Sequence, residues 1–234
     1  GFMRGLVDGV DVASAGELKV ALDAGTAGAD ISFAGPGKTD SELIQAVGSD
    51  VLINVESERE IEFLAGLFTR TGLVARVAVR VNPDFELKGS GMKMGGGPKP
   101  FGIDVERVPA ALKRIGAAGL RFEGFHLYAG SQNLRAQSIV EAQRACFELA
   151  LRLASHAPSP VRSLNLGGGF GIPYFPGERR LDLQPIGANL AGIVARAARE
   201  LPGAHMVIEL GRYLVGEAGI YVARVVDRKE SRGH

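Results

Sequence analysis

Short apolar segments alternate with amphipathic segments throughout these 234 residues, and this alternation is the feature that most limits the possible folds. Seven apolar segments have the length of a strand, and each except the last is followed by a segment with helical periodicity. The predicted strands are residues 7–13, 30–34, 51–55, 73–81, 120–128, 161–166 and 205–209. Strict alternation of this kind is typical of a parallel sheet whose strands are connected by helices.

The helices are predicted from the spacing of apolar residues and from their capping residues. The first begins after Ser14, whose S-A-G-E sequence has the form of a capping box, and it ends at Gly25. Thr39 is the predicted cap of the second helix. The remaining predicted helices are residues 39–47, 57–67, 105–117, 137–154 and 186–200. A further strand is predicted near the end of the chain, at residues 219–226.

Two predicted strands run directly into glycine-rich backbone, LNLGGGFG at residues 164–171 and VIELGR at residues 207–212. Glycine has no Cβ, so its main-chain N–H groups can approach an anion closely, and the planar guanidinium of Arg212 suits a phosphate. In an eight-stranded β/α barrel the usual phosphate site follows strands 7 and 8, whereas in a doubly wound sheet the glycine motif follows the first strand. The pattern therefore predicts a barrel whose first βα unit is missing, with one phosphate between neighbouring loops.

The composition argues against several classes of function. A formal net charge of +1 argues against a nucleic-acid-binding surface. No apolar run approaches the ~18 residues that cross a bilayer, and no signal peptide is visible, so we expect no membrane partner. The single cysteine, Cys146, cannot form an internal disulfide, which favours a reducing, cytoplasmic setting.

Eight short motifs follow one another along the chain. They are DVASAGEL at 11–18, FAGPGK at 33–38, NVES at 54–57, RVNP at 80–83, FGI at 101–103, GSQ at 130–132, NLGGGFG at 165–171 and ELGR at 209–212. In their order and spacing they resemble the pyridoxal-phosphate-dependent decarboxylases with an alanine-racemase-like barrel, which include ornithine and diaminopimelate decarboxylases. The loop GSGMKMGGG at 89–97 most resembles the subgroup associated with bacterial exosortase A systems.

This resemblance implies a TIM-type (β/α)8 barrel that lacks its first βα unit and the family's C-terminal β-domain. It implies pyridoxal 5′-phosphate as the cofactor, no metal, and decarboxylation of a small amino-acid substrate that is free or bound to a carrier. A racemase or a non-catalytic pyridoxal-phosphate-binding barrel is the alternative on the same fold. A barrel that binds a sugar phosphate without this cofactor is a further alternative.

The resemblance also assigns roles to individual residues. Glu209 is expected to keep the cofactor's ring nitrogen protonated by charge pairing, since a protonated ring accepts electrons best. Ser131, which could also cap the next helix, is expected at the cofactor's phosphate. Gly167, Gly168 and Gly169 are expected to donate backbone N–H groups to the phosphate, and Gly211 is expected to bind the cofactor. Arg212 matches the family's arginine for the phosphate or for a substrate carboxylate.

Three further positions complete the expected site. Asp11, at the end of the first strand, matches an acidic residue near the reacting centre, although it could simply cap the following helix. Tyr128 stands where many members carry a histidine stacked on the cofactor ring, and a tyrosine can also stack. Under the two-residue period of a strand, His126 lies on the same face as Tyr128. It is expected to contact the substrate, to support another residue of the site, or to be an ordinary core histidine. Leu210 stands where the family usually has proline.

Other charged residues are expected at the same end of the barrel. Arg80 and Asn82 end a strand and are expected to have a mainly structural role. Lys38, Lys93 and Lys99 are predicted to be solvated loop charges, although one of them could meet a substrate carboxylate.

The resemblance places two functional parts outside this sequence. The family's Schiff-base lysine, which holds the cofactor covalently, would precede the region that matches Gly1. The C-terminal β-domain, which supplies residues across a homodimer interface, would follow the barrel. We therefore expect residues 1–226 to form the cofactor-binding barrel and residues 227–234 to begin a truncated C-terminal domain. We expect the chain by itself to be inactive.

Overall fold

The computed structural model describes residues 1–85, 92–93 and 97–233. The predicted alternation of strands and helices is confirmed along this part of the chain. The strands are β1 (Val10–Val12), β2 (Ile31–Phe33), β3 (Leu52–Val55), β4 (Arg76–Asn82), β5 (Met92–Lys93), β6 (Ile103–Asp104), β7 (Arg121–Leu127), β8 (Gly130–Ser131), β9 (Ser163–Asn165) and β10 (His205–Val207). Each of the seven predicted strand segments overlaps one of these strands.

All the helices except the last connect consecutive strands of the main sheet. The helices are α1 (Ala15–Asp23), α2 (Asp40–Gly48), α3 (Glu58–Thr71), α4 (Val108–Ala117), α5 (Ala136–Ala154), α6 (Gln184–Glu200) and the short α7 (Arg212–Val215). Short 3-10 helices occur at Phe2–Gly5, Gly28–Asp30 and Val105–Arg107. No helix in the described ranges combines the length and the apolarity that a membrane crossing requires.

The main sheet is parallel and runs in the order β1-β2-β3-β4-β7-β9-β10, with β6 paired to β4. A separate antiparallel pair joins β5 to β8, where Met92 is opposite Ser131. Part of the long segment between β4 and β6 therefore lies beside the loop that follows β7. Most of the glycine-rich motif at 89–97 falls on residues 86–91 and 94–96, outside the described residues.

Both faces of the sheet are covered at its central strands. Consecutive residues of β4 are buried from Val77 to Asn82, and neighbouring strand residues point to opposite faces, so neither face is open to water at this central strand. The outermost strands β1 and β10 are partly exposed. Fully buried side chains of the helices, such as Leu64, Leu112 and Phe147, belong to the same core as the strands. Each such side chain contributes about 1.5–3 kcal/mol through its removal from water.

The predicted capping residues begin the first helices. Thr39 forms a capping box with Glu42: its hydroxyl accepts from the Glu42 N–H, and the Glu42 carboxylate accepts from the Thr39 N–H. Ser14 accepts from the Glu17 N–H, but the Glu17 carboxylate accepts from the N–H of Ala13 and not from that of Ser14. The sequence pattern thus identified the helix start, although the reciprocal bond is displaced by one residue.

The strand predicted at 219–226 is wrong. This segment has no hydrogen-bonded neighbour in the described part of the chain, and the side chains of Ile220, Tyr221 and Val226 are almost fully exposed. Its composition favours a strand, but a strand forms only where a second backbone edge can pair with it. The domain boundary at 226 stays a prediction.

The prediction that Lys38 is a solvated loop charge is also wrong. Its side chain is 1% exposed, and its ammonium donates to the carbonyl oxygens of Gly35 at 2.6 Å and Asn54 at 2.9 Å. The Glu60 carboxylate lies 3.1 Å away. These acceptors come from two successive βα segments, so the lysine connects the ends of neighbouring strands. Lys99 is half-buried, and the side chain of Lys93 lies outside the described residues.

Candidate active site

The two glycine-rich turns adjoin each other where β9 and β10 end. The N–H of Leu166 donates to the carbonyl of Val207, and the N–H of Glu209 donates to the carbonyl of Gly167, both at 2.9 Å. A Cβ built on Gly168 would lie only 1.7 Å from the carbonyl oxygen of Glu209. The absence of a side chain at Gly168 is therefore what allows the two turns to approach this closely.

A third turn, from the end of β7, packs against the first. The N–H of Asn133 donates to Gly169 at 2.8 Å, and the N–H of Gly171 donates back to Asn133 at 2.9 Å. Ser131 lies in this turn, but the N-cap residue of α5 is Arg135, and no side chain caps this helix. The Asn133 carboxamide oxygen accepts from the N–H of Arg135 just before the helix begins. Ser131 is therefore not the cap of α5.

The main-chain donors of the first turn suit an anion. Within the described residues, the N–H groups of Gly168 and Gly169 make no hydrogen bond, and Arg212 forms no ion pair. Gly169 has a φ of 84°, a left-handed conformation that favours glycine. Unused N–H donors beside an unpaired guanidinium are the groups that a phosphate requires.

Glu209 is the acidic group at this end of the sheet. Asn165 donates to its Oε1 at 2.6 Å, and the Nε2 of His126 lies 3.0 Å from the same oxygen. Burial opposes the ionised form of Glu209, but the adjacent imidazole and hydrogen bonds from Asp11 and Asn165 outweigh it, so the pKa of Glu209 is lowered. Neither ring nitrogen of His126 makes an aligned hydrogen bond within the described residues, so its approach to Glu209 is a close contact.

Asp11 lies on the first strand of the sheet, and Glu209 follows the last strand. β1 and β10 are the two outermost strands, yet the Asp11 and Glu209 carboxyl groups are hydrogen-bonded. The sheet must therefore curl until its first and last strands face each other across the interior, as in a barrel. A hydrogen bond between two carboxyl groups requires one shared proton.

The shared proton resides on Asp11. Burial and the charge of Glu209 raise the pKa of Asp11, while a hydrogen bond with Ser32 opposes this rise. The residue as a whole is exposed, because β1 is an edge strand; only its carboxyl group lies among these partners. Solvent therefore moderates the shift.

Replacing Asp11 with asparagine is expected to make the stability of the cofactor-free intact protein less dependent on pH. Between the ordinary aspartate pKa of about 3.9 and the raised value, folded Asp11 retains a proton that the unfolded chain loses, so stability falls as pH rises. Asparagine removes this contribution. Thermal midpoints at several pH values above 5 would test it, because the lowered pKa of Glu209 acts only below its usual range. Equal pH slopes for both proteins would contradict the shared proton.

Tyr128 lies between His126 and the first glycine turn. Its ring meets that of His126 edge-on, with the centroids 6.4 Å apart, and a Cβ on Gly167 would lie 3.0 Å from Tyr128 Cδ2. Burial raises the pKa of the Tyr128 phenol, although its hydrogen bond with Ser131 opposes this. Tyr128 therefore lies at the same end of the sheet as Glu209, which acts on it electrostatically.

Arg80 enters the site from β4. Its guanidinium donates to buried Glu56 at 2.9 Å, lies 4.9 Å from the Phe101 ring centroid, and acts electrostatically on Asp11 and Tyr128. Glu56 also accepts from the N–H groups of Gly35 and Gly102. The expectation of a mainly structural role for Arg80 fits this network.

The residues expected from the sequence thus converge at one end of the sheet. They are Asp11, His126, Tyr128, Ser131, Gly167, Gly168, Gly169, Glu209, Gly211 and Arg212. Two participants had no assigned role, namely Asn165, which holds Glu209, and Gln132, which contacts Arg212. Both lie inside motifs noted in the sequence, but their partners are distant in the chain, so no local pattern indicated the contacts.

Comparison with known families gives one match that covers most of the chain. The family model described as "Pyridoxal-dependent decarboxylase, pyridoxal binding domain" matches residues 2–216. The family's cofactor therefore agrees with the anion-binding turns and the acidic group described above.

Individual relatives agree with this match. The chain is 39% identical to the L-glutamyl-[BtrI acyl-carrier protein] decarboxylase of Niallia circulans, over 96% of this chain and 53% of that protein. It is 33% identical to the diaminopimelate decarboxylase of Aquifex aeolicus, over 93% of this chain and 51% of that protein. Among solved structures, Helicobacter pylori diaminopimelate decarboxylase complexed with L-lysine superposes with a TM-score of 0.79 at 26% identity, over 90% of this chain and 52% of that one. The chain spans about half the length of these relatives.

Proposed function

This chain belongs to the pyridoxal-dependent decarboxylases, and from that premise we propose that the intact protein removes the α-carboxylate of an amino acid with pyridoxal 5′-phosphate. The observation that carries the proposal is the position of Glu209, an ionised carboxylate beside a glycine turn with unused N–H donors. When bound, pyridoxal phosphate supplies an electron sink for the electron pair that a departing carboxylate leaves behind.

The residues of the chain divide into two groups around this cofactor. The N–H groups of Gly168 and Gly169, the Ser131 hydroxyl and the Arg212 guanidinium would hold the phosphate. Gly211, the residue before α7, gives Arg212 its position at the helix start. Tyr128 would lie against the ring, since its own ring is fixed by the contact with Gly167 and the hydrogen bond with Ser131.

Glu209 would keep a proton on the ring nitrogen. Its lowered pKa leaves it ionised at neutral pH, so its charge favours the protonated ring. Asn165 holds the carboxylate by a hydrogen bond, His126 lies in close contact with it, and Asp11 holds a second proton beside it. A carboxylate in this role supports decarboxylation over racemisation, because racemases of this fold usually have an arginine there.

Arg212→Ala is expected to weaken the binding of pyridoxal phosphate to the intact protein about a hundredfold, because a charge-assisted, bidentate contact with the phosphate is lost. Equilibrium dialysis would measure the dissociation constant. Arg152→Ala is the matched control, since Arg152 is an exposed arginine on α5, and it should bind the cofactor like the wild type. Unchanged binding by Arg212→Ala would contradict the phosphate site.

Release of CO2 by the intact, cofactor-loaded protein tests the reaction itself. We propose that the substrate is an α-amino acid, and the assay would compare diaminopimelate, ornithine and free glutamate with glutamyl attached to an acyl-carrier protein. The relative that acts on a carrier-bound glutamyl group supports including the last of these. Cofactor binding without CO2 release from any of them would favour the alternative of a racemase or a non-catalytic binding protein.

We further propose that the intact protein is a cytoplasmic homodimer. The dimer comes from the resemblance to enzymes whose C-terminal domain contributes across a subunit interface, and the location comes from the single cysteine. Sedimentation equilibrium of the intact protein would test the dimer, and fractionation of the native cell would test the location.

A further inference from the structure

Gln132 adopts a backbone conformation that its residue type rarely takes. Its φ is 56°, in the left-handed region, where non-glycine residues are uncommon. Such conformations persist only where the surroundings require them, and they concentrate at functional sites. Gln132 occurs in the turn between β8 and α5, so the reason for the strain should be sought in what this turn contacts.

The Gln132 carboxamide makes three hydrogen bonds across two other segments. Its Nε2 donates to the carbonyl of Ile172 at 2.6 Å, and its Oε1 accepts from the N–H of Ile172 at 3.3 Å. The same Oε1 accepts from Nη1 of Arg212 at 3.2 Å. The left-handed turn therefore directs one amide to the first glycine turn and to the arginine of the second.

Arg212 has few other constraints. Its guanidinium lies 5.8 Å from the ring centroid of Tyr174, a residue that is itself 56% exposed, and it pairs with no acid among the described residues. A free arginine side chain loses considerable rotamer freedom when it binds a ligand. A neutral amide acceptor restricts the guanidinium without cancelling its charge, which an aspartate or glutamate at the same place would do.

We propose that Gln132 is a positioning residue that presents Arg212 to the cofactor's phosphate. This inference rests on the proposed function, because it requires the phosphate to bind between the glycine turn and Arg212. Gln132 acts by holding Arg212 in place before the ligand arrives, while its two bonds to Ile172 fix its own orientation.

Gln132→Asn in the intact protein is the sharpest test. Asparagine tolerates the left-handed conformation well, so the backbone is not strained further, but its side chain is one methylene too short to reach Ile172 and Arg212. The dissociation constant for pyridoxal phosphate is expected to rise about fivefold, the change expected when one long side chain must be ordered on binding. The dissociation constant for pyridoxal, which lacks the phosphate, should not change.

A double-mutant cycle with Arg212→Ala separates positioning from a general structural effect. If Gln132 acts through Arg212, the effect of Gln132→Asn on pyridoxal phosphate binding disappears once Arg212 is alanine. An undiminished effect in that background, an equal loss of pyridoxal binding, or wild-type affinity in Gln132→Asn would each overturn the inference.

Gln132→Glu provides a second variant that retains an acceptor for Arg212. It should hold the guanidinium but neutralise it, so phosphate binding weakens while pyridoxal binding persists; unchanged phosphate binding would count against the inference. Failure of the proposed function itself has a different signature, because Arg212→Ala alone would then leave pyridoxal phosphate binding unchanged.

Discussion

Replacing Glu209 with glutamine is expected to lower the turnover of the intact protein by about a hundredfold to a thousandfold, the usual loss when one preorganised charge is removed from a reacting centre. Glutamine has nearly the same shape as glutamate and can still contact Asn165. Its neutral amide cannot neutralise the positive charge of the protonated nitrogen in the cofactor ring. The electron pair left by the departing carboxylate is then less stabilised. The phosphate contacts are unaffected, so cofactor binding should change little. Steady-state CO2 release and equilibrium dialysis would measure the two quantities.

Glu123→Gln is the matched control for this substitution. Glu123 is another largely buried glutamate, 10% exposed, which pairs with Arg76 at 3.4 Å and Arg121 at 2.7 Å. It lies near the start of β7, whereas His126 and the site lie toward the end of that strand. Turnover should stay near the wild-type value in Glu123→Gln, with some loss of stability. Wild-type turnover in Glu209→Gln with the cofactor bound would remove Glu209 from the reaction.

Gly168→Ala is expected to lower the free energy of unfolding by more than about 4 kcal/mol, a loss seen only where a substitution forces a clash or a cavity. The added methyl group would lie 1.7 Å from the carbonyl oxygen of Glu209, so the two turns must separate. Separation displaces the N–H donors of the turn, and pyridoxal phosphate binding should be lost with the stability. Thermal unfolding and equilibrium dialysis of the intact protein would measure both effects.

Gly187→Ala controls for the change of glycine to alanine. Gly187 lies inside α6, and a Cβ there would have no atom within 4 Å. Alanine is favoured over glycine in a helix by roughly 0.5–1 kcal/mol, so this variant should be as stable as the wild type or more stable. A Gly168→Ala protein that melts normally and binds the cofactor with unchanged affinity would contradict the close approach of the turns.

Several local features were predictable because they depend on neighbouring residues. Helix starts at Ser14 and Thr39 follow from side chains that accept from the first turn. The glycine turns after β9 and β10 follow from short apolar segments that end in residues without a Cβ. The segment at 219–226 has the same kind of local preference, yet it forms no strand, since pairing requires a partner edge that local sequence does not specify.

For Lys38, the local sequence predicted exposure to solvent, but the side chain is buried. Its place in a glycine- and proline-rich loop suggested solvent, but the carbonyls of Gly35 and Asn54 and the carboxylate of Glu60 surround its ammonium. These groups come from successive βα segments that meet only when the strands align side by side. Burial of a charged side chain is therefore a result of strand packing, and the composition of its own loop did not indicate it.

The sequence by itself determined the alternation of strands and helices, the glycine turns and the identity of the polar residues that follow the strands, because periodicity, capping and the lack of a Cβ act over a few residues. Only the tertiary structure decided which of those side chains meet. Asp11 reaches Glu209 because the sheet curls its outermost strands toward each other, and Gln132 reaches Arg212 because two turns pack through glycine. The curvature of a sheet arises from the packing of all its strands and helices together, so no single segment of the chain contains it.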